Sequence, residues 1–475
     1  MLTKRVGLTI LLILVSGFLA THANAQGPTP QPSSDLIFET IPSAPGSPAL
    51  FRFASDSTIT PFYADTGIQP DPDSLRPLKW SPQGDLLAIF RIQKYAGGTP
   101  IDQLPLQLCL VDRKGVLQVC FDDKPSAISS GAGDLQDQLS TPDWSATGDK
   151  FYFVARSDQT VRLVEADTKT GHSLRTLYQH TGNPVPIIIW TRNLHYVAVG
   201  VGERDLKPYP AASLTNLQTN TNLDLNALIP KNAVDRIICP NFSRSSSYIT
   251  AIANVGSSDV IQSELLIFDK QGTIKNTLGP TTAFGHLVMA CPTWRHDEQT
   301  LYFYAKSDQD VSAAIFKYTL QTKKLSVVYR LPQDIASNPD STRRDIFPPI
   351  VLSTDEKQLA FESADNPVFS VIKIADETGK SARVEGSFHF TQYPVWIPPV
   401  PTSNSAKADF ASCNVSDKGW LNSINAKIDA GQWDALINEV NAQTGKKIDE
   451  TCAYDLIAAA TYLSGQSPAT ATSKP

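Results

Sequence analysis

The stretch Pro77-Leu78-Lys79-Trp80-Ser81-Pro82-Gln83-Gly84-Asp85-Leu86-Leu87-Ala88-Ile89-Phe90 constrains the fold more than any other, because weakened copies of it return down the chain. Pro77 disfavours helix just before it, and Trp80 is a large apolar anchor. Ser81-Pro82-Gln83-Gly84 has turn chemistry and residues 86–90 form a short apolar run, so the unit reads as strand, tight turn, strand. The place of Trp80 is taken in turn by Trp144, Trp190, Phe242, Trp294, Leu352 and Trp396, at spacings of 44 to 64 residues. Periods of this size belong to propellers and solenoids.

Two more strand-like runs follow each copy, for example Leu106-Gln107-Leu108-Cys109-Leu110-Val111 with Val116-Leu117-Gln118-Val119-Cys120-Phe121. Four short antiparallel strands per period make a propeller blade. The segments Phe153-Val154-Ala155-Arg156-Ser157-Asp158-Gln159-Thr160-Val161 and Phe303-Tyr304-Ala305-Lys306-Ser307-Asp308-Gln309-Asp310-Val311 keep the same offset as Trp144 and Trp294, as true repeats do.

The Pro-x-Trp-Ser-Pro-x-Gly turn followed by a Leu/Ile-Ala-Phe strand resembles the TolB-like, or WD40-like, propeller repeat of bacterial envelope proteins. The resemblance covers residues 35–397 and is closest at residues 77–90 and 142–154. It implies an all-β propeller in which the Pro/Trp turns serve the fold and a broad ring face meets a partner. The sequence departs from the pattern at Gln83, where the family has Asp, and in the fourth copy, which has no turn Gly.

Residues 36–63 supply three strand-like runs without an innermost partner, and Trp396 ends an innermost strand without followers. Joining them completes a seventh, composite blade and leaves no open sheet edge. A six-bladed ring with the terminal strands packed outside is the alternative.

Residues 1–25 have a basic start at Lys4 and Arg5, an apolar run and the small-residue site Ala23-Asn24-Ala25, the pattern of a secretory signal peptide. An uncleaved anchor is the other reading, but the apolar run is short for a span. Without those residues 39 basic face 47 acidic side chains, and no basic cluster invites nucleic acid. The expected product is exported, periplasmic or extracellular, with no stable membrane span after cleavage. Residues 26–34 read as a flexible leader, 35–397 as the propeller and 398–412, rich in Pro, Ser and Ala, as a linker. Residues 413–463 read as a small helical domain, with Gly431 and Gly445 as stops, and 464–475 as a disordered tail. Gly431-Gln432-Trp433-Asp434-Ala435-Leu436-Ile437 is faintly similar to one tetratricopeptide turn.

Six Cys suit an oxidising compartment. Cys413 and Cys452 bracket two helices of a domain too small for a large core, so a disulfide there is expected. Cys109 and Cys120 face each other if Lys114-Gly115 is a two-residue hairpin turn. Cys239 and Cys291 both precede a repeat Pro and either bridge neighbouring blades or remain thiols.

The sequence has no Gly-x-Ser-x-Gly elbow, His-Glu-x-x-His, Walker loop, dinucleotide fingerprint or Cys-x-x-Cys pair. No catalytic, cofactor-binding or metal-ligating residue is therefore assigned, and no cofactor is expected. His296-Asp297-Glu298 reads as a solvated turn. These readings favour a non-catalytic scaffold that binds another envelope or extracellular protein. Carbohydrate or small-ligand binding at the channel mouth, through the connection aromatics Tyr95, Tyr209 and Phe284, is a second possibility. A metal-assisted polysaccharide lyase using His180, His286 and His389 is a third.

Overall fold

The computed structural model describes residues 34–40, 47–64, 75–92, 106–123, 142–157, 160–181, 187–200, 213–228, 233–257, 260–279, 287–288, 292–306, 313–331, 350–366, 369–383, 391–413 and 415–466. Its strands form seven sheets. Blade 1 is Leu75–Trp80, Leu86–Ile92, Leu106–Asp112 and Leu117–Cys120, paired antiparallel in chain order. Five more blades repeat this order, with second strands Lys150–Ser157, Tyr196–Gly200, Tyr248–Ser257, Thr300–Lys306 and Gln358–Asn366.

Blade 7 is the composite one. Thr391–Trp396 is its innermost strand, followed by Leu36–Thr40, Pro48–Phe53 and Ile59–Ala64. Leu36 pairs with Trp396 and Thr40 with Thr391, and the Ile397 amide donates to the Asp35 carbonyl at 2.8 Å where other blades have a turn. The ring is thus seven-bladed, and both chain ends enter the closing sheet.

Strand alternation explains why the blades stack. Successive side chains point to opposite faces, so each central strand feeds two seams. In blade 2, Phe151, Phe153 and Ala155 pack on Leu108, Leu110 and Phe121 of blade 1, while Tyr152 and Val154 pack on Ile188 and Trp190 of blade 3. Seven such apolar clusters run round the ring, the last joining Ile37 and Leu50 of blade 7 to Trp80 and Ile89 of blade 1. Trp80, Trp144, Trp190, Trp294 and Trp396 are buried in these seams, and Phe242 is partly buried.

Six repeat turns close alike. The fourth turn residue donates its amide to the first carbonyl, in the pairs Gly84–Ser81, Gly148–Ser145, Leu194–Thr191, Ser246–Ser243, Glu298–Arg295 and Glu356–Ser353. All six fourth residues have φ between 53° and 70°, the left-handed region that favours glycine. The missing glycines therefore leave the turn type intact.

The Cys109–Cys120 disulfide is present in blade 1. Its hairpin is not the expected two-residue turn: the Asp112 amide bonds the Val116 carbonyl, Gly115 has φ 76°, and a register shift follows Leu110. This longer bulged turn still leaves Cys109 opposite Cys120.

The helical domain begins earlier than expected. Part of the stretch read as linker is helix α1, Ser403–Ser412, started by a reciprocal capping box between Thr402 and Ser405 that overrides its weak apolar pattern. Helices α2 (Lys418–Asp429), α3 (Trp433–Gln443) and α4 (Glu450–Gln466) follow, so the last helix continues past the boundary placed at 463. Phe410, Trp420, Ile424, Leu436, Val440 and Leu456 form their core, and the Cys413–Cys452 disulfide ties the end of α1 to the start of α4.

Trp144 is fully buried, so Trp144→Ala is expected to cost about 3–5 kcal/mol. Urea unfolding of the purified variant measures this, and an unchanged midpoint would contradict the seam packing.

Candidate functional site

The chain runs from the innermost strand through the repeat turn into the second strand, so all six repeat turns lie on one face of the ring, and the helical domain packs on that face over blades 2 to 4. Tyr454 of α4 donates its hydroxyl to the Trp144 carbonyl at 2.9 Å, and the Arg192 guanidinium lies over its ring, 4.6 Å from the centroid. The neighbouring Asp455 pairs with Arg192 at 3.7 Å and also with Arg244. One turn earlier, Glu450 accepts from Asn193 at 2.5 Å and lies 3.6 Å from His195. Ala146 of the blade 2 turn packs against the helical core, and Arg113 donates to the Pro398 carbonyl at 2.5 Å, fixing the chain where it leaves the ring.

These contacts place one acidic edge of α4 across the turns of blades 2, 3 and 4. Beneath it, Lys79 of blade 1 and Asp143 of blade 2 form a part-buried ion pair at 2.9 Å, with Arg192 3.9 Å from the same carboxylate. Burial pushes the Asp143 carboxyl up, but Lys79 and Arg192 outweigh it and hold the group below the ordinary carboxylate value. Burial lowers the Lys79 ammonium despite Asp143 opposite. It also pushes the Tyr454 hydroxyl well above the ordinary tyrosine value, keeping it a neutral donor.

Carboxylates continue the linkage around the same face. Glu356 accepts from the His296 amide at 2.6 Å and from Arg295 at 3.0 Å, and Glu298 accepts from the Ser245 hydroxyl at 2.5 Å. His296-Asp297-Glu298 is therefore an inter-blade connector rather than a merely solvated turn: Asp297 caps its own turn while its neighbours reach the adjacent blades. Gln83 has a comparable role, donating to the Ala146 carbonyl at 2.7 Å.

Among the described residues no group of three or more His, Cys, Asp or Glu could hold a metal ion, and no helix is long and apolar enough to cross a membrane. Tyr95, Tyr209, Phe284, His286, His389 and Cys291 lie outside the described residues, as does the side chain of Cys239. His180 is half-buried in the outer strand Ser173–Thr181, where burial lowers its basicity. Sequence reasoning did not single out Arg192, Arg244, Tyr454 or Asp455. The available signal was an Arg within two residues of each anchor at Trp190-Thr191-Arg192, Phe242-Ser243-Arg244 and Trp294-Arg295.

No family model matches the chain, and no curated protein matches it. Solved structures with a similar fold include TolB from Acinetobacter baumannii (11% identity, 77% of this chain and 83% of that one, TM-score 0.39). Others are the periplasmic gluconolactonase of Pseudomonas aeruginosa (12%, 77% and 99%, 0.46) and an oligogalacturonate lyase in complex with manganese (12%, 73% and 84%, 0.44). At such identities and scores the likeness carries no inference about activity.

Asp455→Ala removes the carboxylate between Arg192 and Arg244, so small-angle scattering is expected to show a larger radius of gyration than wild type, an effect that added salt reproduces in the wild type. Unchanged dimensions would place the docking energy in the apolar contact at Ala146. Asp143 has a depressed folded pKa, so the unfolded chain takes up its proton first as pH falls. Its contribution is complete above the unfolded value of about 3.9 and is lost as pH falls through the lower folded one. Urea unfolding from pH 6 to pH 2.5 is expected to give a shallower acid decline in Asp143→Asn than in wild type.

Proposed function

We propose that the protein is an exported, non-catalytic propeller scaffold that binds another envelope or extracellular protein through the ring face opposite the helical domain. The observation that carries this reading is the use of the turn face within the molecule: Tyr454, Asp455 and Glu450 engage the turns of blades 2 to 4. A partner of the ring then meets the other end of the strands, where loops on a rigid frame serve recognition.

Export is supported by the signal-like residues 1–25 and by the Cys109–Cys120 and Cys413–Cys452 disulfides, which persist in oxidising compartments. The acidic balance of the chain disfavours nucleic acid and anionic membrane surfaces as partners.

The test is photo-crosslinking in the producing cell. A photoreactive residue replaces Ser157 or Thr181, exposed where strands end on the open face, or Lys169 or Lys270, exposed in turns on the helix side. A discrete protein adduct is expected from the first pair and not from the second. Adducts from the second pair alone, or from neither, would overturn the assignment of the binding face.

A further inference from the structure

Where the C-terminal half of α4 crosses the turns of blades 1 and 2, a half-open pocket of about 370 Å³ lies between the two bodies. This is near the small end of the roughly 300–1,000 Å³ range of small-molecule sites. Its walls come from four places: the repeat turn of blade 1, the outer hairpin turn of the same blade, the repeat turn of blade 2 and the last turns of α4. A cavity at such a junction exists only when the helical domain is docked.

The lining mixes polar groups with apolar surface, and one polar group is left unfinished. The Thr461 hydroxyl oxygen is buried and has no hydrogen-bond partner, which costs about 1–3 kcal/mol unless something fills the place. Lys114 and Tyr462 line the same space, and the Tyr462 hydroxyl lies close enough to the Arg113 guanidinium to interact with it electrostatically. Asp85 uses Oδ1 to accept from the Ser81 hydroxyl at 2.5 Å, and its other oxygen remains for a ligand.

The frame around these groups is fixed. Asp112 Oδ1 accepts the amides of Lys114 and Val116 at 2.8 and 2.9 Å, which sets the hairpin turn. The Arg113 guanidinium is committed to the Gly84 and Pro398 carbonyls. Gly148 sits on the wall with φ 70°, and a Cβ there would run into the Gln83 side-chain amide. The site is therefore held open before any ligand arrives, which lowers the ordering cost of binding.

The chemistry of the walls selects the ligand class. Asp85 and Asp112 balance Arg113 and Lys114, so a phosphate or other strong anion gains no net charge here. Hydroxyl, carboxylate, amide and ammonium groups surround the space, offering donors and acceptors together, and the Tyr462 ring offers one flat apolar surface. We propose that this cavity binds a neutral polyhydroxyl ligand of mono- to disaccharide size, bridging blade 1 and α4. The site is separate from the open ring face, so it stands whether or not that face binds a protein.

Saturation-transfer NMR on residues 26–475 tests it, with glucose, maltose, cellobiose and N,N′-diacetylchitobiose as probes. At least one sugar is expected to show transfer, weakened tenfold or more by Asp85→Asn and by Tyr462→Ala, and unaffected by Lys270→Ala on the outer turn of blade 4. No transfer from any of the four, or transfer that survives both substitutions, overturns the proposal. Should Tyr462→Ala release the helices, Asp85→Asn decides alone, because Asp85 is exposed in its turn.

Discussion

The antiparallel pairing of Leu36–Thr40 with Thr391–Trp396 holds the two ends of the propeller sequence in one sheet. Every other seam depends on it, because a blade buries both faces of its central strands only when it has a neighbour on each side. Without the pairing, Leu36, Phe38 and Trp396 would lose the packing they share with Ile372 and Ile374 of blade 6. Ile37 and Leu50 would likewise leave Trp80 and Ile89 of blade 1. One hydrogen-bonded ladder therefore sustains two apolar seams and abolishes two sheet edges.

The repeat turns meet a second constraint. Each needs a residue at positive φ, and glycine is the inexpensive choice, as at Gly84 and Gly148. At Glu298 and Glu356 the strain of a side chain in that region, of order 1–2 kcal/mol, is offset by carboxylate bonds to the turn of the preceding blade. The departures from the repeat pattern are thus connections between blades. The same turns carry Arg192 and Arg244, which receive α4, so the feature that closes each blade also builds the platform for the helical domain.

That platform sets what the ring has left to offer. With α4 across the turns of blades 2 to 4, the proposed partner is assigned to the strand ends on the other side, and the junction itself holds the pocket beside Tyr462. The Cys413–Cys452 bond closes a loop of 39 residues and tethers α4 to α1. Such a loop is worth about 4 kcal/mol in the chain-entropy account. It keeps a four-helix unit with a small core ordered enough to present Tyr454 and Asp455 together.

Local information determined much of this protein. The Pro-x-Trp anchors, the turn residues and the alternating strands specify blades, because each of these acts within a few residues of chain. The count of seven was legible once residues 36–63 were seen to lack an inner strand. Cys413 and Cys452 were legible as a pair because no other cysteine lies near them in sequence. Helix α1 was not, since its start rests on a Thr402–Ser405 capping box rather than on an apolar stripe. Nor was the docked face legible: Tyr454 and Trp144, or Asp455 and Arg244, lie hundreds of residues apart, and no periodicity encodes their meeting. Only the closed ring brings Arg192 and Arg244 onto one face, and only the disulfide-tied bundle turns the acidic edge of α4 toward them, so tertiary structure alone decided which face is covered and where the cavity lies.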